Sequence, residues 1–353
     1  MRIAQIAPLA EAVPPKLYGG TERVVSWLTE ELVALGHEVT LFASGDSVTS
    51  ATLAPMSPQA LRLDKTVGDP NAPVFLMLEK VLRRAQDFDI LHFHLDYMPF
   101  SLFTRQPVPH VTTLHGRLDL KEIWGHYELH RDVPLISISD SQRQPMAWAN
   151  WARTIHHGLP ETLLRPAPGA RPDYLAFLGR ISPEKRVDRA IEIAGRAGMK
   201  LKIAAKVDRA DRDYFEAKIE PLLKLPHVDY IGEIGDHQKA EFLSNAKALL
   251  FPIDWPEPFG LVMIEAMACG TPVIAYDHGS VPEVMEDGLT GFIVRDEASA
   301  AQAVARLDRL DRAAIRRRFE QRFTARRMAE DHVALYEALV RAKLPPVRAI
   351  AAE

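Results

Sequence analysis

Short apolar runs alternate with amphipathic stretches along most of the chain. Residues 3–7 form a nearly unbroken apolar run, which predicts a buried strand. A glycine loop follows. Residues 22–35 then carry Val24, Val25, Leu28, Leu32 and Leu35 at helical spacing, and Gly36 stands where a glycine ends a helix. Runs at 39–43, 90–94, 111–114 and 135–139 predict further strands, and 74–86 predicts a helix. After residue 173 the pattern restarts. Strands are predicted over 174–178, 201–205, 248–251 and 273–275, and helices over 185–197, 211–223, 239–245 and 261–268. Apolar strands alternating with helices predict a parallel sheet covered on both faces. Residues 160–172 contain Pro160, Pro166, Pro168, Gly169 and Pro172 and read as a linker. The expectation is two α/β domains, 1–159 and 173–322, with a cleft between them. A final amphipathic helix spans 323–342 on Met328, Val333, Leu335, Tyr336 and Leu339, and 345–353 is expected to fray.

Composition narrows the class. The 353 residues suit two domains, and 47% hydrophobic with 25% charged residues is ordinary for a globular protein. A net charge of −4, with no basic excess in either half, speaks against a nucleic-acid binder. A local basic patch for peripheral membrane contact is left open. Pro8, Glu11, Pro14 and Pro15 break the N-terminal apolar run, so it is no signal-peptide core. No uncharged apolar stretch approaches the ~18 residues of a membrane span. The one cysteine, Cys269, excludes an intrachain disulfide and reads as packing at a buried helix end. A cytoplasmic location is expected.

Four motifs carry candidate chemistry. Gly19 and Gly20 lie between the first strand and its helix. Adjacent glycines let amides approach an anion at a helix start, or simply make a tight turn; the residues alone leave both readings open. The six-position glycine fingerprint of dinucleotide sites is absent. His92 and His94 are two apart on a strand and share a face, but no further ligands at recognisable spacing follow to make a metal site. His115, followed by Gly116, ends another strand, where ligands of open parallel sheets bind. Arg180 and Lys185 bracket Ser182-Pro183, which reads as a helix cap with proline at the first turn. Two cations beside a positive helix end suit a diphosphate, and a solvated basic loop is the plainer alternative. The most particular element is Pro256-Glu-Pro-Phe-Gly-Leu-Val-Met-Ile-Glu265. Glu257 precedes a helix, Glu265 lies inside it, and the amides of Phe259, Gly260 and Leu261 are unpaired at its start. Two carboxylates flanking free amides suit hydroxyls and a phosphate together.

These residues resemble the retaining glycosyltransferases of the GT-B fold, family 4, also called glycosyl transferases group 1. The resemblance covers most of the chain. It rests on Gly19-Gly20, Thr113-Leu-His115-Gly, Gly179-Arg-Ile-Ser-Pro-Glu-Lys185, the Glu257-x7-Glu265 motif, Gly279-Ser-Val-Pro-Glu283 and Asp287-Gly-Leu-Thr-Gly-Phe-Ile-Val294. It implies two Rossmann-like, doubly wound domains facing a cleft. The N-terminal one takes the acceptor, the C-terminal one takes the nucleotide sugar, and the last helix (about 323–353) crosses back to the first domain. It implies an enzyme of EC 2.4 type, a hexosyltransferase, using a UDP- or GDP-sugar as co-substrate, with no cofactor and no metal. The acceptor would be a carbohydrate, a lipid or a small molecule. By the same resemblance Arg180 and Lys185 bind the diphosphate, Glu265 the ribose and Glu257 the transferred sugar. The amides of Phe259, Gly260 and Leu261 contact sugar and phosphate, Gly20 brings an amide to the phosphate, and His115 faces the donor sugar. Arg186 departs from the family by standing where many relatives have glycine. Ala205-Lys206-Val207 replaces a glycine-rich turn, and His278-Gly279-Ser280 keeps one glycine of a common pair. A sugar-nucleotide epimerase or hydrolase of similar architecture, and a non-catalytic nucleotide-sugar-binding subunit, are the alternatives.

Overall fold

The structure is a computed structural model that describes residues 1–16 and 19–343. Tyr18 of the first glycine loop and the tail expected to fray lie outside the described residues. The chain divides into two compact units.

The first unit holds Met1–Ile138, Pro145–Ile155 and the last helix. In chain order it contains β1 (Arg2–Ile6), α1 (Gly20–Ala34), β2 (Glu38–Ser44), β3 (Thr52–Ser57), α2 (Asn71–Arg83), β4 (Ile90–Phe93), α3 (Phe100–Phe103), β5 (His110–Thr113), α4 (Lys121–Leu129), β6 (Leu135–Ser137) and β7 (Trp151–Thr154). Its strands form one parallel sheet in the order β3-β2-β1-β4-β5-β6-β7. The central strands are buried along their length, as their unbroken apolar runs require. Ile6, Phe42, Leu91 and Phe93 centre the core on one face.

The second unit holds Ser139–Gln144 and His156–Thr324. It contains β8 (Tyr174–Arg180), α5 (Val187–Arg196), β9 (Leu201–Lys206), α6 (Arg212–Tyr214), β10 (Val228–Gly232), α7 (Asp236–Ser244), β11 (Ala246–Phe251), α8 (Leu261–Ala268), β12 (Val273–Tyr276), α9 (Val281–Val284), β13 (Gly291–Val294), α10 (Glu297–Val304) and α11 (Arg312–Arg322). Its parallel sheet runs β10-β9-β8-β11-β12-β13. Counted within each unit, both orders begin 3-2-1-4-5-6, so each sheet is doubly wound and reverses direction beside its first strand. The closing helix α12 (Ala325–Lys343) buries Met328, Ala329, His332, Leu335 and Tyr336 within the first unit, and Arg326 reaches Glu31 of α1 at 3.2 Å.

Several boundaries differ from the pattern. Four edge strands lie outside the predicted set: β3, β7 and β10 are partly exposed and carry no continuous apolar run, and the buried β13 falls within the Asp287–Val294 motif. The helix expected over 211–223 is broken into α6 and a wide turn, and Pro221, which has no N–H to donate, stops it. The stretch 160–172 is fastened to the second unit. Arg316 donates to the carbonyls of Leu164 (2.7 Å) and Glu161 (3.0 Å), and the Ala167 amide donates to Ser244 Oγ at 2.9 Å. The division between the units falls at His156 instead. Cys269 is buried, and burial pushes its thiol up to about 12. Among the described residues no helix is long and apolar enough to cross a membrane.

Candidate functional site

In the second unit two chain segments meet: the turn after β8 and the loop between β11 and α8. The Ile181 amide bonds the Lys206 carbonyl at 2.8 Å, which carries the β8–β9 pairing one residue past Arg180. Ser182 therefore does not cap a helix, contrary to the sequence reading. Residues 182–185 close a turn, with the Lys185 amide on the Ser182 carbonyl at 3.1 Å. Helix α5 starts only at Val187. Arg186 precedes it at φ 52°, a left-handed conformation that glycine adopts without strain. Here Arg186 is held instead by Asp188 (3.0 Å) and Asp254 (2.8 Å), and these partners push its guanidinium further up.

The turn aims Lys185 at the second segment. Its Nζ forms an ion pair with Glu257 Oε2 and lies 5.2 Å from the centre of the Trp255 ring. The Trp255 indole N–H donates to the same carboxylate oxygen at 2.9 Å. The Lys185 and Glu257 side chains are only 20% and 11% exposed. Below them the chain at 279–280 cradles the loop. The Ser280 amide donates to the Glu257 carbonyl (3.0 Å) and its hydroxyl to the Phe259 carbonyl (2.8 Å). Gly279 sits at φ 58°, and a Cβ there would stand 2.3 Å from the Glu257 nitrogen, so only glycine permits this approach.

Helix α8 follows, with Gly260 at φ 78° just before it. The amides of Phe259, Gly260 and Leu261 donate no hydrogen bond to any described residue, as expected for a helix start. Glu265 lies one turn inside α8, 3% exposed, and accepts from Lys239 Nζ of α7 at 2.7 Å. Arg180 is not in the Lys185 cluster. Its guanidinium faces Glu184 (2.5 Å), Asp211 (3.5 Å) and Asp208 (3.7 Å). The two cations expected to share one anion are each already paired, with different carboxylates.

The remaining candidates lie in the first unit. Gly19 caps α1, where a Cβ would stand 2.9 Å from Pro15 Cβ; Gly20 begins the helix with nothing within 4 Å of where a side chain would stand. His92 and His94 share a face and meet around Gln5. Gln5 Oε1 accepts from His94 Nε2 at 2.9 Å, and Gln5 Nε2 donates to the Tyr336 hydroxyl at 3.1 Å. Tyr336 lies 2.6 Å from His92 Nδ1, and His92 Nε2 lies 2.7 Å from Thr113 Oγ1. His115 Nε2 lies 2.9 Å from His94 Nδ1. Burial, with His332 nearby, holds His115 neutral, its pKa lowered to about 3, and puts His92 well below the ordinary value. Among the described residues no three His, Cys, Asp or Glu side chains gather as metal ligands. Sequence reasoning missed Lys239, Trp255, Gln5 and Tyr336. None belongs to a motif, and only the Trp255 position, two before Glu257, offered a signal.

Two family models match the chain: Glycosyltransferase Family 4 over residues 18–176, and Glycosyl transferases group 1 over residues 165–324. The alpha-maltose-1-phosphate synthase of Mycolicibacterium smegmatis is 25% identical, over 85% of this chain and 86% of that protein. The phosphatidyl-myo-inositol mannosyltransferase of the same species is 28% identical, over 86% and 83%. Among solved structures, the Anabaena protein HepE in complex with UDP-glucose superposes with a TM-score of 0.72 at 17% identity, covering 96% of this chain and all of that one.

Proposed function

The chain belongs to the glycosyl transferases of group 1, family 4, with the GT-B fold, and is a glycosyltransferase of EC 2.4 type; from that premise we propose that it moves a sugar from a nucleotide-sugar donor to an acceptor with retention of anomeric configuration. Lys185 takes the donor diphosphate, assisted by the amides of Phe259, Gly260 and Leu261 at the start of α8, and Arg180 joins it by leaving its pairs with Glu184, Asp208 and Asp211. Glu265 accepts from the ribose hydroxyls and Glu257 from those of the transferred sugar. By the family resemblance, Gly20 brings an amide to the phosphate and His115 addresses the donor sugar. The bond from the anomeric carbon to the diphosphate oxygen breaks, and its electron pair leaves with the diphosphate. The acceptor hydroxyl forms the new bond on the same face, and its proton passes to the departing phosphate oxygen. The two cations stabilise the growing charge. The reaction needs no cofactor or metal.

One observation carries this reading: a lysine, a carboxylate and three unpaired helix-start amides converge on one loop. The lysine and the amides are donors that suit a diphosphate, and the carboxylate is an acceptor that suits sugar hydroxyls. UDP- or GDP-sugars are the proposed donors; HepE was solved with UDP-glucose. A carbohydrate, lipid or small-molecule acceptor is proposed, and the mannosyltransferase relative is named for a lipid one. The test is a melting screen against UDP-, GDP- and ADP-sugars, followed by assignment of the product anomer by NMR. A donor at 100 times its Kd adds about 2.7 kcal/mol to stability. Absence of any shift, or an inverted product, refutes the proposal.

A further inference from the structure

We propose that Trp255 is a positioning residue for the transferred sugar: its indole N–H keeps the Glu257 carboxylate in place when the donor diphosphate draws Lys185 away. This rests on the donor-site reading above. Glu257 Oε2 has two donors, Lys185 Nζ and Trp255 Nε1. Oε1 takes no hydrogen bond from the described residues. The Lys185 ammonium carries three N–H donors, and a bound diphosphate, with more negative charge than one carboxylate, draws them from Glu257. As Lys185 turns to the phosphate, Glu257 loses its cationic partner at the moment its orientation matters. The indole N–H is the donor that remains.

Local geometry fits that task. Trp255 is two residues before Glu257, and the Glu257 amide donates to the Trp255 carbonyl at 2.8 Å, so the two side chains are fixed in one tight turn. Pro256 and Pro258 stiffen that turn. The indole edge holds the carboxylate while its face lies 5.2 Å from Lys185 Nζ. One half-buried side chain thus touches both charges and changes neither. Oε1 stays available for a sugar hydroxyl. An indole N–H neither titrates nor competes for the sugar as an acceptor, so it orients the carboxylate without neutralising it.

The experiment uses the full chain labelled with 5-fluorotryptophan, which has five tryptophans and hence five fluorine resonances. Trp255→Phe identifies the Trp255 signal. UDP, GDP and ADP are titrated in turn, and donor turnover is followed with UDP-glucose, GDP-mannose and ADP-glucose. The expected result has three parts. The Trp255 resonance moves on nucleotide binding as Lys185 leaves its face. Trp255→Phe, which keeps the ring and loses the N–H, binds the nucleoside diphosphate within about twofold of the wild type. Its kcat falls about tenfold, the loss expected for a hydrogen bond to a charged group, with a smaller change in KM. Trp255→His, which restores a ring N–H, regains part of the kcat and covers the case in which the phenylalanine variant folds poorly. Wild-type turnover in Trp255→Phe with tight nucleotide binding overturns this proposal alone. So does a nucleotide affinity that falls as far as kcat, since Trp255 would then serve Lys185. If no nucleotide moves any resonance or the melting temperature, the donor-site reading fails and this proposal with it.

Discussion

Replacing Glu257 by glutamine should tighten binding of the bare nucleoside diphosphate while slowing transfer. In the free protein the Glu257 carboxylate and Lys185 are paired, and a diphosphate must compete for the lysine. The pair is neither fully buried nor open, with side chains 20% and 11% exposed. Its strength therefore falls between an exposed ion pair, about 0–1 kcal/mol, and a charge-assisted hydrogen bond, about 1.5–3 kcal/mol. Taking about 1 kcal/mol, neutralising Glu257 frees Lys185 and improves nucleotide affinity roughly fivefold. The amide keeps the shape of the carboxylate but accepts sugar hydroxyls more weakly, so kcat drops by about tenfold or more. Glu265→Gln must behave in the opposite way. That carboxylate is assigned to the ribose, which every nucleotide carries, and its loss weakens nucleotide and donor alike. Calorimetry with the nucleoside diphosphate chosen by the melting screen, together with steady-state rates, separates the two. If Glu257→Gln weakens the bare nucleotide as much as Glu265→Gln does, the two carboxylates do not divide the ligand as reasoned.

Lys185→Ala and Arg180→Ala should each raise the barrier to transfer by about 2–4 kcal/mol, the scale of a lost oxyanion donor; wild-type kinetics in both would remove the assigned diphosphate site. Activity should persist in excess EDTA, and a loss restored by one divalent ion would reopen the metal question at His92, His94 and His115. His110 and His332 are buried neutral with pKa values lowered to about 4, by burial above all. Unfolded histidine titrates near 6.5, so stability is full above about pH 6.5 and declines as pH falls toward 4, at about 1.4 kcal/mol per pH unit for each. Melting temperatures from pH 7.5 to 4.5 should follow that slope, and His332→Leu should flatten it; equal slopes in both proteins would contradict it.

How much was readable in advance divides along physical lines. Central strands announced themselves because both faces are buried, and 261–268 was read to the residue because its apolar run is bounded by Gly260 and Gly270. The edge strand Trp151–Thr154 is half exposed and carries no such pattern. The glutamates and cations lie in short motifs, which is why the sequence offers them as candidates. Their partners do not, since Lys239 reaches Glu265 across 26 positions and Gln5 reaches His94 across 89. Ser182-Pro183 looked like a cap because local rules ignore that Ile181 is committed to the β9 edge, which delays the helix to Val187.

The second unit interrupts the first: His156–Thr324 is spelled out before α12 returns. Synthesis is vectorial, and domains fold as units when their last residue is available. The interrupting unit, apart from its short segment 139–144, is contiguous and can fold as soon as Thr324 leaves the ribosome. The first unit waits. Until α12 emerges, the side of its sheet around Gln5, His92 and His94 lacks Tyr336 and His332, and these three polar groups remain without their final cover. The nascent chain is thus a finished second unit joined to an open first one. Release of α12 converts that half-made sheet into its closed form in one late step. A released chain ending at Thr324 should carry a protease-resistant second unit and a first unit that is still cut.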